Sequence, residues 1–175
     1  MNFISRLKNK LSTENISKHI EVDYEAGNLY APITGEYIPL KEIPDPAFSS
    51  GMLGHGCGVK PSEGKVYAPV CGKIVSVAET KHFVGIESAD GASFLIHIGM
   101  DTVELNGKGF EIFVSEGQEV SCGNLLMTFD MELIRAKEYI LTSAFVMAES
   151  ASGMKLELAK NGFYQSGDKI GMVRS

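Results

Sequence analysis

Two histidines and a threonine are the residues of this sequence whose types and spacing suit chemistry. His82 follows Thr80 by two positions, and His97 lies fifteen positions beyond His82. Two imidazoles on one face of a sheet allow several kinds of reaction. One can act as a nucleophile while the other donates a hydrogen bond to an incoming anion, or both can bind zinc together with a third ligand.

The segment between the histidines predicts a β-hairpin that brings them together. Asp90-Gly91 lies between two apolar runs and is a strong turn signal. A two-residue turn there places His97 opposite Val84 and diagonal to His82, whereas a turn centred one residue earlier places the two histidines directly opposite. In both registers the imidazoles share a face, but a three-residue loop would put them on opposite faces.

Strand alternation predicts which side chains around His97 are buried. Phe94, Ile96 and Ile98 are expected to face the core. The intervening positions, His97 among them, are expected to face outwards, with Gly99 leaving the imidazole uncrowded.

The texture of the chain from residue 29 onward is that of a β protein, with short runs rich in Val, Ile, Tyr and Phe between Gly, Pro and Asp. Tyr-Ala-Pro-Ile-Thr-Gly at 30–35 recurs as Tyr-Ala-Pro-Val-Cys-Gly at 67–72, which indicates two related β units facing one another. The predicted fold is all-β, an antiparallel sandwich or barrel with internal pseudo-duplication and one short helix over 131–139, capped by Asp130. Predicted strands cover residues 29–40, 65–78, 83–88, 92–98, 111–113, 124–129, 145–147 and 169–173, and the glycine-rich run 51–58 is interpreted as a bent β segment.

Composition indicates which classes of partner and which cellular compartment suit the chain. The chain has 175 residues, 44% of them hydrophobic, and a net charge of −6, which is typical of a globular domain and argues against nucleic-acid binding. The three cysteines form no C-x-x-C pair, and reduced thiols favour a cytoplasmic location. Residues 1–11 carry three basic and no acidic residues, and their apolar residues recur at helical spacing. This amphipathic segment is therefore a candidate for peripheral membrane contact. Residues 12–27 are interpreted as a linker.

The segment 91–103, which reads GASFLIHIGMDTV, resembles the signature of the glucose-type enzyme IIA family (EIIA type 1) of the phosphoenolpyruvate-dependent sugar phosphotransferase system. Thr-Lys-His at 80–82 and the continuation VELNGKGF at 103–110 match the same family. The resemblance implies one domain over 28–175 with the duplicated hybrid motif, a β-sandwich whose two histidines lie in a shallow depression. It also implies a phosphotransferase component, a monomeric phosphoryl carrier that requires no cofactor.

The resemblance implies a role for each residue of the histidine cluster. His97 would accept phosphate on Nε2 from the phosphohistidine of the carrier HPr and pass it to a cysteine on the IIB domain of a sugar permease. His82 would stabilise the phosphoryl group, and Thr80 would orient His82. The backbone carbonyl of Gly99 would hold the Nδ1 proton of His97, and an exchangeable zinc ion at His82 and His97 is a further option.

The resemblance also implies the surface that partners contact. Asp45 and Asp101 would flank the site and receive an arginine of HPr. The expected apolar rim consists of Phe48, Met52 and Leu53. Cys71 stands where the family commonly has an acid, and no role follows for it.

Two other functions remain open from the sequence. A regulatory binding module would keep the fold and let phosphorylation of His97 switch its docking to regulatory proteins. A metal-dependent hydrolase on a similar scaffold is the remote alternative, because the sequence contains neither H-x-H nor H-E-x-x-H. A serine hydrolase is equally poorly supported, since no G-x-S-x-G is present.

Overall fold

The computed structural model describes residues 18–148 and 153–175. Within them the chain forms short strands joined by tight turns, with two short α-helices, α1 (Pro46–Ser49) and α2 (Met131–Ala136), and two 3-10 helices, Leu40–Glu42 and Thr102–Leu105. The strands are β1 (Asn28–Tyr30), β2 (Gly35–Pro39), β3 (His55–Pro61), β4 (Lys65–Tyr67), β5 (Gly72–Val77), β6 (Phe83–Ser88), β7 (Ser93–His97), β8 (Phe110–Ile112), β9 (Glu119–Val120), β10 (Leu125–Phe129), β11 (Ser143–Met147), β12 (Lys155–Leu158), β13 (Gly162–Tyr164) and β14 (Lys169–Arg174).

The strands form three antiparallel sheets. The largest has eight strands in the order β13-β2-β3-β11-β7-β6-β5-β9, and the two others have the orders β1-β14-β12 and β4-β10-β8. This architecture confirms the predicted all-β antiparallel class. Strand β7, which ends at His97, lies inside the largest sheet between β11 and β6.

The repeat visible in the sequence corresponds to a reciprocal pair of backbone hydrogen bonds. The N–H of Tyr30 donates to the carbonyl of Pro69 at 3.1 Å, and the N–H of Tyr67 donates to the carbonyl of Pro32 at 2.9 Å. Each bond has the same position in its own copy of the repeat. The two β units therefore face one another, as the recurrence predicts.

Two turns repeat the same construction. In one, the N–H of Ser121 donates to the side chain of Asn124, and in the other the N–H of Gln165 donates to the carboxylate of Asp168, both at 2.7 Å. Each turn feeds the strand that pairs with one half of the repeat, since β10 pairs with β4 and β14 pairs with β1. The duplication thus includes the turns as well as the strands.

The hairpin between the two histidines differs from both predicted registers. His97 pairs with Phe83 across β6 and β7. The loop has three residues rather than two, because Gly91, with φ 89°, adds a left-handed residue after the tight turn in which its N–H donates to the carbonyl of Ser88. The prediction of a two-residue turn is therefore wrong.

Burial along β7 follows the predicted alternation. Phe94, Ile96 and Ile98 are almost completely buried, whereas His97 is only partly buried. Phe94 stacks on Phe145 of the neighbouring strand β11 with ring centroids 5.6 Å apart. The apolar face of the largest sheet is thereby fixed, and the opposite face of β7 is left to present His97.

Helix α2 begins at its predicted residue. The side chain of Asp130 accepts a hydrogen bond from the N–H of Leu133 at 3.0 Å, which is the geometry of an N-cap. The helix ends at Ala136, before the predicted residue 139, because Glu138 adopts a left-handed φ of 63°. Helix α1 and the strands β9, β12 and β13 have no counterpart among the predicted elements, whereas β3 overlaps the predicted bent segment.

The start of the chain is described only from residue 18, so the predicted amphipathic segment and the first part of the linker lie outside the described residues. Residues 18–27 pair with the β domain: the N–H of Ile20 donates to the carbonyl of Gly123 at 3.0 Å, and the hydroxyl of Tyr30 donates to the carbonyl of Asp23 at 2.8 Å. In the part of the chain that the structure describes, no helix is long and apolar enough to cross a membrane.

Replacing Phe145 tests the core. Phe145 is 1% exposed, so Phe145→Ala removes a buried ring and leaves a cavity beneath β7. We expect the free energy of unfolding to fall by about 3–5 kcal/mol, measured by urea denaturation. Phe163→Ala is the matched control, because Phe163 is 61% exposed and its loss should change stability by less than about 0.5 kcal/mol. Equal effects of the two substitutions would contradict the assignment of Phe145 to the core.

Candidate functional site

Three segments of the chain meet around the two histidines. The turn between β5 and β6 carries Thr80 and His82, and the end of β7 carries His97. Helix α1 packs from the side through Phe48, in a small apolar cluster that also contains Met100. Each element is short, and the sheet beneath them holds the segments in place.

The ring of His97 has a defined proton position. Its Nδ1 lies 2.9 Å from the carbonyl oxygen of Gly99. A carbonyl can only accept, so Nδ1 carries the proton. In the neutral ring Nε2 then keeps its lone pair.

The backbone conformation at Gly99 makes this hydrogen bond possible. Gly99 has φ 65°, and a Cβ built on it would lie 2.6 Å from Cγ2 of Thr102 and 2.9 Å from the carbonyl oxygen of Ile140. No larger residue fits there without moving the backbone. The next N–H along the chain, that of Met100, donates to the carbonyl of Ile140 at 2.9 Å, which fixes the plane of the peptide whose oxygen His97 uses.

His82 meets His97 although the strand register alone would place them on opposite faces. It lies in the turn before β6, after Lys81 with its left-handed φ of 60°, so strand alternation does not set its direction. The two rings lie edge to face with centroids 4.8 Å apart. Oγ1 of Thr80 lies 2.7 Å from Nδ1 of His82, and the carbonyl of His82 accepts from the N–H of Ile98 at 2.8 Å.

Both histidines are neutral near pH 7. Burial, the largest cause, and the nearby His82 together lower the pKa of His97 to about 4, against the opposing effects of the Gly99 hydrogen bond and of Asp45 and Asp101. Burial also lowers the pKa of His82. The pair therefore offers an unprotonated nitrogen at neutral pH.

Two phenylalanines enclose the ring of His97. Phe48 lies with its centroid 5.0 Å from that of His97, and Phe83 stacks nearly parallel to it at 6.3 Å. Phe48 is buried rather than exposed on the rim. These rings limit the orientation of the imidazole and shield it from water on two sides.

Two carboxylates flank the depression, each at the start of a helical turn. Asp45 caps α1, with Oδ1 accepting from the N–H of Ala47 at 2.8 Å. Asp101 precedes the 3-10 helix Thr102–Leu105 in a left-handed conformation with φ 59°. Both acids keep oxygen atoms available to a cationic partner.

The histidines lie in a depression of about 340 Å³ whose lining is largely apolar. Of the predicted site residues, Thr80, Gly99 and Met52 do not line it, and Met52 is 80% exposed. Phe83 and Leu95 line it without having been predicted; the outward alternation at Leu95 was the available signal. The lining consists of Asp45, Ala47, Phe48, Leu53, His82, Phe83, Leu95, His97, Asp101 and Val103.

A larger surface cavity lies elsewhere and does not contain the histidine pair. It measures about 620 Å³ and is lined by Cys71, Lys73 and Glu119 among others. Its lining is mainly polar and open to solvent. Between residues 18 and 148 and from 153 onward, no group of three or more His, Cys, Asp or Glu side chains is arranged to hold a metal ion.

Comparison with known proteins identifies the family of this chain. Residues 27–152 match the family described as phosphoenolpyruvate-dependent sugar phosphotransferase system, EIIA 1. The glucose-specific EIIA component of Staphylococcus epidermidis is 43% identical over 122 residues, covering 70% of this chain and 74% of that protein. Its counterpart in Staphylococcus aureus is 39% identical over 130 residues, covering 74% of this chain and 78% of that protein.

A solved structure shows the same fold. The glucose permease IIA from Mycoplasma capricolum superposes with a TM-score of 0.78 at 36% sequence identity, covering 87% of this chain and 98% of that chain. The two chains thus share the same all-β fold. The chain belongs to the EIIA type 1 family of the phosphoenolpyruvate-dependent sugar phosphotransferase system and acts as a phosphoryl carrier. This assignment removes the metal-dependent hydrolase from consideration.

The depressed pKa of His97 gives a pH-dependent prediction. In the unfolded chain His97 takes up a proton near pH 6.5, and in the folded chain it does so only near pH 4. The free energy of unfolding should therefore fall as the pH is lowered through this interval. In His82→Gln the pKa of His97 should rise, because a like-charged neighbour is removed, yet stay below 6.5, because burial is the larger cause. Nuclear magnetic resonance titration of the His97 ring measures both values. A wild-type pKa near 6.5 would contradict the burial described here.

Proposed function

We propose that His97 is the phosphoryl acceptor, forming a phosphohistidine intermediate at Nε2. The observation that carries this proposal is the hydrogen bond from Nδ1 to the carbonyl of Gly99, 2.9 Å long. It leaves Nε2 as the nitrogen with the lone pair. The phosphoryl donor is the phosphohistidine of HPr, and the acceptor is a cysteine of a IIB domain.

Each transfer exchanges one bond to phosphorus for another. The Nε2 lone pair of His97 attacks the phosphorus, and the bond to the HPr nitrogen breaks with its electron pair returning to that ring. In the second step a IIB thiolate attacks the same phosphorus and the bond to Nε2 breaks. Such transfers depend mainly on in-line positioning and on donors to the phosphoryl oxygens.

We propose that His82 supplies such a donor. In this proposal Thr80 donates its hydroxyl proton to Nδ1 of His82 across the 2.7 Å contact, so that Nε2 of His82 carries a hydrogen. The two rings then have complementary nitrogens, one with a lone pair and one with a proton. The 4.8 Å separation of their centroids supports a shared phosphoryl group.

The surface around the depression suits a cationic partner. Asp45 and Asp101 line it and would receive an arginine of HPr, while exposed Leu53 and Met52 supply apolar contact. A doubly negative phosphoryl group between the carboxylates would change which partners dock there, so regulatory proteins would use the same face. The names of the relatives support a glucose-type permease as the acceptor. The three free thiols support a cytoplasmic location.

The roles of the two histidines are separable by transfer assays. With phosphoenolpyruvate, enzyme I and HPr, the wild type should gain one acid-labile phosphate, measured by mass spectrometry. His97→Gln should gain none, because the nucleophile is lost. His82→Gln should accept phosphate from HPr but pass it to a IIB domain much more slowly, because the phosphoryl group loses its donor.

His19→Gln is the matched control, since His19 lies at the bridge to Asn124 and not in the depression. This variant should behave as the wild type in both steps. Phosphate retained on His97→Gln would overturn the assignment of the acceptor. Loss of acceptance in His82→Gln would show that the roles of the pair are reversed or shared.

Removing the charge of Asp45 tests the partner surface. Asp45→Asn keeps a side chain that caps α1 well, so the helix should remain while one carboxylate is lost. We expect the rate constant for association with phospho-HPr to fall by about fivefold at low ionic strength and less at high salt. Stopped-flow kinetics at two salt concentrations measures the change.

Asp90→Asn removes the same charge at the far end of the β6–β7 hairpin and serves as the control. It should leave association nearly unchanged. If the two substitutions slow association equally, the effect comes from net charge and not from a carboxylate at the docking face.

A further inference from the structure

A buried serine lies behind the proposed acceptor without touching its ring. Ser143 is the first residue of β11 and is completely buried. Its neighbour Ala144 pairs with His97 across the sheet. A buried hydroxyl requires hydrogen-bond partners, and those of Ser143 are both backbone groups, one of them the N–H of Gly99.

The hydroxyl of Ser143 makes two hydrogen bonds of defined direction. It donates its only proton to the carbonyl of Leu141 at 2.8 Å. Its oxygen accepts the N–H of Gly99 at 3.0 Å. Because the proton is committed to a carbonyl, the oxygen faces Gly99 as an acceptor only.

Ser143 completes a set of bonds that fixes both peptides next to Gly99. In the peptide that joins Ile98 to Gly99, the carbonyl of Ile98 accepts a hydrogen bond from the hydroxyl of Thr102 at 2.5 Å. The N–H of the same peptide, that of Gly99, donates to Ser143. In the peptide after it, the N–H of Met100 is bound and the carbonyl accepts from His97. All four polar groups of these two peptides are therefore paired.

We propose that Ser143 is a positioning residue for phosphoryl transfer: by holding the N–H of Gly99, it aims the Gly99 carbonyl at Nδ1 of His97. The inference rests on the proposed function of His97. Without the hydroxyl, the buried N–H of Gly99 has no acceptor, and the peptide must rotate or shift to find one. The carbonyl then moves from Nδ1, and the fraction of His97 carrying its proton on Nε2, where it blocks attack, rises.

Ser143→Ala tests this coupling. In protein labelled with nitrogen-15 at histidine, the wild type should show the Nδ1–H form of His97 almost alone, and Ser143→Ala should show a mixture of both forms. The rate of phosphorylation by phospho-HPr should fall by about tenfold, equivalent to about 1.4 kcal/mol in the barrier. Ser143→Cys, with a side chain of similar size and a weaker acceptor, should lie between the two, and it provides the readout if the alanine variant folds poorly.

Ser88→Ala is the matched control. Ser88 is also a buried serine, and its hydroxyl bonds to the backbone of Ala92 in the hairpin away from the site. Its loss should lower stability while leaving the tautomer of His97 and the phosphorylation rate at wild-type values. Similar tautomer changes in both variants would reduce Ser143 to a general stabilising residue and overturn the proposal.

The two readouts separate this inference from the function on which it rests. An unchanged tautomer and rate in Ser143→Ala would overturn the positioning role alone. A changed tautomer in the variant, with no phosphate on the wild type, would overturn the acceptor role of His97 and leave the coupling from Ser143 to His97 supported.

Discussion

The hydrogen bond between Nδ1 of His97 and the carbonyl of Gly99 is the constraint on which the site depends. It decides which nitrogen of the neutral ring has a lone pair, and it does so with a backbone group, whose position is set by the chain itself. The left-handed turn at Gly99, the close approach of Ile140 and the bonds to Thr102 and Ser143 all hold that one carbonyl. A polar group fixed in this way needs no reorganisation when charge develops nearby.

The duplicated β units supply the rigidity that this arrangement needs. Strand β7 is an inner strand, held by β11 on one side and by β6 on the other. His97 consequently has a paired residue on each side, Ala144 and Phe83. A histidine on an edge strand or a loop would keep its ring orientation less well, because fewer backbone bonds would fix it.

The sequence allows the residues of the site to be predicted more completely than their geometry. The pairing of the histidines follows from the motif and the outward face of His97 from strand alternation, and both signals are local. The register failed because one left-handed residue, Gly91, changes the loop length, and His82 reaches the site from a turn that no alternation describes. Strand β12 has only four residues, and the contact of Ser143 with Gly99 spans 44 positions, so neither leaves a local pattern.

The depression around His97 limits the order in which partner proteins can bind. With its volume of about 340 Å³ and its pair of flanking carboxylates, the depression forms a single docking site. With His97 as the proposed acceptor, the donor and acceptor proteins would have to occupy the depression in turn, each leaving before the other arrives. A long-lived complex with either partner would slow phosphoryl transfer. The overall rate is therefore highest when both complexes are short-lived and of modest affinity.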